Sequence, residues 1–510
     1  MEVLLFYIIF ILLKLQIKSI NILNTKDNNL CEKWKDFMKY INCYPYIQDE
    51  SLLDLEPIDV VIKYIDLSDK ELVREGIPQM KKDYDNGEIR FSLRSILKNI
   101  PWVNKIFIVM PNEKVKYLKN YEEIKEKIIY VKDKDLAGFD SASCTVFEFR
   151  LWKLKKFGMA DNFIYFNDDY FVGNPLKKSD FFYVENGKVV PYIFGYKRKK
   201  MNRFITKKNH KKFYKIVSRR KSYIQDKIEY HLHLANTRLF IYKLFGNSAK
   251  IVRNTHNALP DNAIEGEEIY NIVLKKYEKP DACLKTLFRG KDQMVYQEFR
   301  INYILNKYHR KIKMLKFRYF DIKKKPTNAD LFVINKGNKH YEVSALKRSL
   351  IFINALFPIP SKYEKPDNIA NGFYIIKTKL KANLVLKIGY NKKKEKNSLY
   401  LDKTDDKYSE VFYIEHQNDN SYLIKSNFNT FLGVSNRISK KSFDLSFYNN
   451  VKNNNQKWNI ISNDDYYFIV SKNRSKCVIS VLTNKKNKFN IECFYPNGTS
   501  NQMFKLIKKK

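Results

Sequence analysis

Phe412, Trp458 and Phe504 stand 46 residues apart, and each is preceded two positions earlier by Glu410, Gln456 or Gln502. Upstream, Tyr374-Ile-Ile-Lys-Thr, Tyr422-Leu-Ile-Lys-Ser and Phe468-Ile-Val-Ser lead their copies in a similar way. A unit of this length cannot bury an apolar face alone, so three copies must stack on one another to make a core. Residues 372–510 show no long helical period and many short apolar runs between polar turns, which predicts an all-β region. Pro358, Pro360 and the polar stretch to Asn371 read as the join to what precedes, with 366–371 as linker.

The first part of the chain has a different rhythm. Ile58 to Ile65 is a β-branched run that ends in Asp66-Leu-Ser-Asp69, a buried strand opening into an acidic turn. Glu88 to Ile100 places Ile89, Leu93, Ile96, Leu97 and Ile100 at helical spacing, with Arg90 and Arg94 four apart on its polar side. Pro101 stops that helix, Lys105–Met110 and Ile128–Val131 are the next strands, and Val146–Phe157 is amphipathic. Phe163–Phe166 is a further strand, and it ends in Asn167-Asp168-Asp169. Strands alternating with helices predict a mostly parallel, Rossmann-like α/β domain, with helical additions from 223 to 365. Carboxylates at the end of a buried strand sit where open α/β sheets bind ligands, and two of them can hold a hard divalent cation on phosphates. An Asn-Asp turn after a strand is the plain alternative.

The net charge of +40 over 510 residues is spread along the chain with an excess of Asn, Ile and Tyr. It reads as biased composition rather than a nucleic-acid patch, and no nucleic-acid partner is expected. The densest basic run, Lys197–Lys221, reads as a solvated insertion at about 195–222. Val3–Leu13 is an apolar run of eleven residues, the size of a signal-peptide core, with an uncleaved anchor as the alternative. On that reading residues 1–23 are the targeting segment and 24–56 a lead-in. The rest then enters the secretory route, to a Golgi-like lumen or the cell surface. Any membrane contact is expected only through that segment. Six cysteines fit this compartment. Cys31 and Cys43 can close one short loop and Cys477 and Cys493 another, while Cys144 and Cys283 can pair or stay reduced. Asn473-Arg-Ser and Asn497-Gly-Thr are glycosylation sequons.

Residues 57–365 resemble the Stealth family of sugar-1-phosphate transferases, in four ordered blocks. The first is Ile58–Asp69; the second starts at Glu88–Val109 and closes with Phe163–Phe182. The third includes His256, Pro260 and Leu287–Gln293, and the fourth Leu331–Asn338 with Leu356–Lys365. The resemblance implies transfer of a sugar-1-phosphate from a nucleotide sugar such as UDP-GlcNAc to a hydroxyl of a glycan or glycoprotein. A phosphodiester and a nucleoside monophosphate would result. Asp66, Asp69, Arg90, Arg94, Glu148, Asn167 and Asn335 would hold the donor, and Asp168 and Asp169 would bind Mg²⁺ or Mn²⁺. His256, Asp168 and Arg289 would carry the chemistry, with His256 as base. The alternatives are a metal-dependent glycosyltransferase releasing nucleoside diphosphate, and an inactive glycan- or protein-binding protein. Several positions depart from the family pattern: Tyr64 for Trp, Leu67 for Gly, Ser143-Cys144-Thr145 for Asn-Ser-His, and Lys336 for Asp.

Residues 372–510 resemble ricin-type β-trefoil lectins, which implies four strands per copy with each copy's aromatic buried on a threefold axis. Lectins of that type accept sugar hydroxyls on an Asp. The corresponding residues here are Lys387, Gly433 and Ile479, none of which can accept as a carboxylate does.

Overall fold

The computed structural model describes residues 49–65, 87–111, 115–141, 143–197, 211, 215, 227–246, 248–254, 258–286, 290–321, 329–335, 343–365 and, with short breaks, 369–509. They fall into two compact units: Lys178–Pro191 with the chain up to Glu56, and Pro57–Lys177 with Tyr192–Lys510. The expected targeting segment, Cys31 and Cys43, and nearly all of the basic insertion lie outside the described residues. Among the described residues no helix is long and apolar enough to cross a membrane.

In the second unit, β1 (Ile58–Lys63), β2 (Ile106–Met110), β3 (Ile128–Lys132) and β4 (Asn162–Asn167) form a parallel sheet. β5 (Tyr170–Val172) follows β4 after a two-residue turn. In the small unit, helix α1 (Asp49–Leu55) accompanies the hairpin β6 (Phe182–Glu185) and β7 (Lys188–Pro191). The turn residues Asn186 and Gly187 have φ of 52° and 70°, the left-handed pair that a two-residue hairpin requires. Back in the larger unit, β8 (Ile193–Lys197) pairs with β9 (Val252–Asn254) and with β11 (Ile312–Lys313). β10 (Leu259–Asn262) joins the parallel sheet as an antiparallel edge, giving the order β10-β4-β1-β2-β3. β12 (Phe317–Asp321) and β13 (Leu331–Asn335) form a sheet with β5. The runs in β1, β2 and β4 are buried almost throughout, as parallel strands covered on both faces must be. The one carboxylate in β1, Asp59, accepts from the Asn104 amide at 2.9 Å and from the backbone N–H of Lys105 and Ala160 at 2.8 and 2.7 Å, which fixes the edge away from the acidic turns.

Helix α2 (Glu88–Asn99) is where the periodicity placed it, but Val146–Phe157 is not one helix. It is a short helix α3 (Cys144–Glu148) followed by a 3₁₀ segment, Leu151–Phe157. The stretch read as mainly helical carries α4 (Lys227–Phe245), α5 (Ala263–Lys276), α6 (Tyr296–Tyr308) and α7 (Val343–Leu356), with β9–β13 among them.

The C-terminal region is all β. Its strands are β14 (Gly372–Thr378), β15 (Leu384–Asn391), β16 (Lys396–Lys403), β17 (Val411–His416), β18 (Tyr422–Ser426) and β19 (Phe431–Arg437). β20 (Ser442–Tyr448), β21 (Lys457–Asn463), β22 (Tyr466–Ser471), β23 (Val478–Thr483), β24 (Phe489–Phe494) and β25 (Phe504–Lys508) follow. Antiparallel pairing runs β14-β17-β18-β21-β22-β25 and back to β14, a closed barrel of six strands, and β15–β16, β19–β20 and β23–β24 are three hairpins beside it. Each copy of the repeat thus gives four strands, and a 3₁₀ turn precedes the aromatic strand in each. Phe412, Trp458 and Phe504 are fully buried in one cluster, and the Trp458 indole donates to the Leu432 carbonyl at 2.9 Å. The repeated Glu/Gln is an internal tether. Glu410 accepts from Thr404 at 2.7 Å, Gln456 donates to the Asn450 carbonyl at 2.6 Å, and Gln502 accepts from the Asn497 N–H at 2.8 Å. Cys477 and Cys493 are joined by a disulfide across the β23–β24 hairpin, as their spacing allowed, whereas Cys144 and Cys283 are not joined. Burial pushes the Cys283 thiol up to about 12, so it is an inert core group.

The α/β and β regions pack against each other. One apolar cluster combines Phe91, Phe171, Phe332 and Ile351 with Ile461, Phe468, Val478 and Met503.

Candidate active site

β1 and β4 run side by side with Lys63 opposite Asn167, so both leave the sheet at the same edge. Asp66 and Asp69 follow β1 but lie outside the described residues. Asp168 and Asp169 are the half-buried turn between β4 and β5. β10 is antiparallel to β4 with Leu259 opposite Tyr165, so β10 begins at this same edge. His256 precedes Leu259 by three residues and is itself outside the described residues. β13 is antiparallel to β5 with Val333 opposite Tyr170, and it runs two residues further to Asn335, past the start of β5. Four separate stretches of sequence therefore converge where the strand-end rule puts a ligand.

The interior of this edge is wired by a hydroxyl that the sequence reading passed over. Tyr165 lies inside the apolar run of β4, and its OH reaches the Glu148 carboxylate at 3.2 Å and the Asn167 side-chain oxygen at 2.9 Å. Burial, and then the negative charge of Glu148, holds the phenol well above its ordinary range, so it stays a proton donor. The single Tyr165 proton is shared between two acceptors, the Glu148 carboxylate and the side-chain oxygen of Asn167, which sits beside Asp168. Tyr170, on the far side of the acidic turn, is likewise pushed well up by burial and by the Asp169 charge, and stays neutral. Lys63 at the end of β1 pairs with Asp133 at 2.5 Å and lies over the Phe147 ring at 4.6 Å. Only the apolar-run signal marked Tyr165, and a tyrosine in such a run gives no hint of what its hydroxyl meets.

Arg289 lies outside the described residues, but both its flanks are pinned. Ser141 donates to the Thr286 carbonyl at 2.8 Å, His233 Nε2 is 2.8 Å from the Gly290 carbonyl, and Asn236 donates to the Lys291 carbonyl at 2.9 Å. The Gln293 amide donates to Ser143 Oγ at 2.9 Å, and Ser143 leads into α3, which ends in Glu148. The segment that carries Arg289 is thus fastened to the helix that carries Glu148. β10 is fixed from behind by a second unforeseen network. Buried Asp261 accepts from the Asn262 N–H at 2.7 Å and from the Tyr296 OH at 2.9 Å, and it pairs with Arg300. Burial pushes the Asp261 carboxyl up while Arg300 pulls against it.

Arg90 and Arg94, expected to hold the donor, are engaged inside the protein. Arg94 is buried and bidentate on Glu364, at 2.8 Å from Nε and 2.6 Å from Nη2, and its Nη1 donates to the Phe357 carbonyl at 2.8 Å. Arg90, also buried, reaches Ser462 of β21 at 3.2 Å and lies over the Phe91 and Tyr117 rings. Covering by distant segments turned the polar side of α2 into an interior seam. The serines of the same helix position the acidic turn. Ser92 donates to the Tyr170 carbonyl at 2.7 Å and Ser95 accepts from the Val172 N–H at 3.0 Å, which docks β5.

As a metal site, Asp168 and Asp169 are a partial donor set. Among the described residues no group of three or more His, Cys, Asp or Glu side chains could hold an ion. That fits Mg²⁺, which binds through one or two carboxylates and completes its shell with water and substrate phosphate.

Residues 82–190, which span α2 to the acidic turn and beyond, match the family model described as Stealth protein CR2, conserved region 2. Over that stretch the chain is similar to the Stealth proteins. Over 267 residues it is 27% identical to a capsular polysaccharide phosphotransferase of Haemophilus influenzae, covering 49% of this chain and 65% of that relative. A capsular polysaccharide phosphotransferase of Neisseria meningitidis serogroup B is 33% identical over 26% of this chain and 39% of its own length. One of Actinobacillus suis is 32% identical over 27% and 40%. The chain thus spans under two-thirds of the curated relatives it matches. Among solved structures, a designed three-fold symmetric protein, ThreeFoil, matches 27% of this chain and 99% of its own at 16% identity and a TM-score of 0.25, too slight a likeness to carry an argument.

In the barrel, the three positions where trefoil lectins would place a sugar-binding Asp are closed. Lys387 is buried and paired with Asp405 at 2.5 Å and Glu410 at 3.6 Å. A side chain at Gly433 would meet Gln456 Cγ at 2.8 Å, and Ile479 is fully buried.

Proposed function

We propose that the protein transfers a sugar-1-phosphate from a nucleotide sugar to a hydroxyl of a glycan, releasing a nucleoside monophosphate. The observation that carries this reading is the convergence at one sheet edge of the Asp168-Asp169 turn, the Glu148–Tyr165–Asn167 hydrogen bonds, the start of β10 and the end of β13. The likeness to capsular polysaccharide phosphotransferases supports the reaction class.

In this reading Asp168 and Asp169 hold Mg²⁺ or Mn²⁺, which supplies positive charge on the donor diphosphate. Asn167 donates its amide N–H to a donor oxygen, held in that orientation by Tyr165. His256 takes the proton of the acceptor hydroxyl as its oxygen attacks the phosphorus that carries the sugar. The bond from that phosphorus to the bridging oxygen breaks, and the nucleoside monophosphate leaves with the electron pair. Arg289 offsets charge on the phosphoryl oxygens, so the catalysis is positioning plus neutralisation. Asp66 and Asp69 meet the nucleoside. Asn335, at the end of β13, borders the donor. The barrel is a ricin-type β-trefoil in this reading, supported by its threefold repeat of four strands and its six-strand closure. The Cys477–Cys493 bridge supports placing the protein in an oxidising, secretory compartment.

The test is incubation of the purified protein with UDP-, GDP- and CMP-sugars, Mg²⁺ or Mn²⁺ and a glycan acceptor, with the released nucleotide identified. Release of UMP or GMP, lost in His256→Ala and Asp168→Asn, is the expected outcome. Release of UDP or GDP would make the protein a glycosyltransferase instead.

A further inference from the structure

A cleft of about 810 Å³ opens between the α/β region and the barrel, and none of the lectin-type positions lines it. Its volume is within the ~300–1,000 Å³ typical of ligand sites. Its walls bring together residues from α7, from the 358–371 segment, from the β17–β18 hairpin and from β21. Four asparagines line it: Asn354, Asn371, Asn420 and Asn459. Two of them are held by their oxygens, Asn354 accepting from Arg94 Nη1 at 3.3 Å and Asn371 from the His416 N–H at 2.7 Å. Among the described residues, the amide nitrogens of all four donate no hydrogen bond, and neither oxygen of Asn420 and Asn459 accepts one. The Ser361 hydroxyl in the same wall is buried without a partner among the described residues. The Ser361 hydroxyl is a buried orphan and the amides open into the cleft, so the wall offers donors and acceptors to a ligand that can use many of them.

The charge balance narrows that ligand. Glu364, the one carboxylate in the lining, is fully engaged by Arg94, while Lys119 and Lys362 contribute positive charge. Pro358, Pro360 and Ile460 supply apolar surface for the C–H faces of rings. Hydroxyl groups suit the amides, apolar ring faces suit the prolines, and negative substituents suit the lysines. α2 connects this cleft to the acidic turn, since Arg94 lines the cleft while Ser92 of the same helix holds the Tyr170 carbonyl.

We propose that this cleft binds an oligosaccharide, the glycan chain whose end is the acceptor, through Asn420, Asn459 and their neighbours. The assignment of the bound chain as acceptor rests on the transfer reaction proposed above; oligosaccharide binding by the cleft does not. The barrel would then contribute to acceptor binding through its junction with the α/β region rather than through its repeats.

The experiment applies the full chain to an array of immobilised oligosaccharides, from disaccharides to hexasaccharides, in neutral and phosphodiester-linked series. It is run with and without inorganic phosphate as competitor. The same array is read with the double variant Asn420→Gly and Asn459→Ala. Glycine keeps the left-handed backbone at position 420, where φ is 58°, and neither side chain holds another of the described residues. A thermal unfolding curve confirms that the variant is folded. The expected result is binding of the longer chains that survives phosphate and falls about tenfold or more in the double variant, the scale of losing two hydrogen-bonding amides. No binding to any chain, binding that phosphate abolishes, or binding that the double variant retains overturns the proposal. Nucleoside monophosphate release by the wild-type protein, measured alongside, separates the two readings. Release without oligosaccharide binding sinks the cleft alone, and binding without release sinks the transfer reaction alone.

Discussion

The sheet edge and the barrel treat polar groups in opposite ways. At the edge, Asn167, Asp168 and Asp169 leave the end of a buried strand half-exposed, with the Tyr165 hydroxyl 2.9 Å from the Asn167 side-chain oxygen. In the barrel, the polar residue of every repeat turns inward. Glu410, Gln456 and Gln502 are buried and spent on tethering their own loops. Lys387, at a position that could have faced a ligand, is buried in a pair with Asp405. The repeat spends its polar residue on the loop within each copy, whereas the strand end leaves its polar residues half-exposed.

The comparison is tested most severely by Asp168→Asn. It should lower nucleoside monophosphate release by about 10⁴-fold, the scale on which charge-positioning groups act in phosphoryl transfer. The thermal transition should stay within a degree or two, because the side chain is half-exposed at a turn. A variant that loses stability in step with activity would make the turn structural, like the barrel's tethers.

Arg94→Ala should do the reverse. It strands Glu364 in the interior, and unpairing a buried ion pair costs about 3–5 kcal/mol. The double replacement Arg94→Met with Glu364→Leu removes both charges and should recover most of the stability and the donor turnover. If the double variant folds but cannot use the donor, Arg94 is a phosphate clamp after all.

How much could be read without coordinates follows the same division. The strands β1, β2 and β4, helix α2 and the acidic turn were all legible, because burial on both faces leaves continuous apolar runs and turns leave polar breaks. The repeat was legible because three copies put the same demand on sequence at a fixed spacing of 46 residues. The fate of Arg90 and Arg94 was not. A helical polar face looks the same whether it meets water or Glu364, 270 residues further on. The Tyr165 hydroxyl was hidden for a related reason, since its partner Glu148 lies on a different element and only the fold brings them together.

Tyr165→Phe keeps the ring and removes the hydroxyl that orients Asn167. It should leave the fold intact and lower donor turnover about tenfold, the loss of roughly one hydrogen bond's worth of positioning. An unchanged rate would show that Asn167 needs no such support.

The smallest effect belongs to the barrel's own ion pair. The hydrogen bond from Lys387 holds the Asp405 carboxyl at about 2. That is below the ~3.9 of an unfolded aspartate. A depressed folded value means the stabilisation is present above about pH 4 and is lost as pH falls through about 2. Asp405→Asn should therefore lower the denaturant midpoint slightly at about pH 6, and the gap between variant and wild type should narrow as pH falls through about 2 and close only below it, where the wild-type carboxyl is itself protonated. A gap that persists at low pH would mean that Asp405 acts through packing or its loop rather than its charge. The contrast with the sheet edge would then rest on the buried Lys387–Glu410 contact alone.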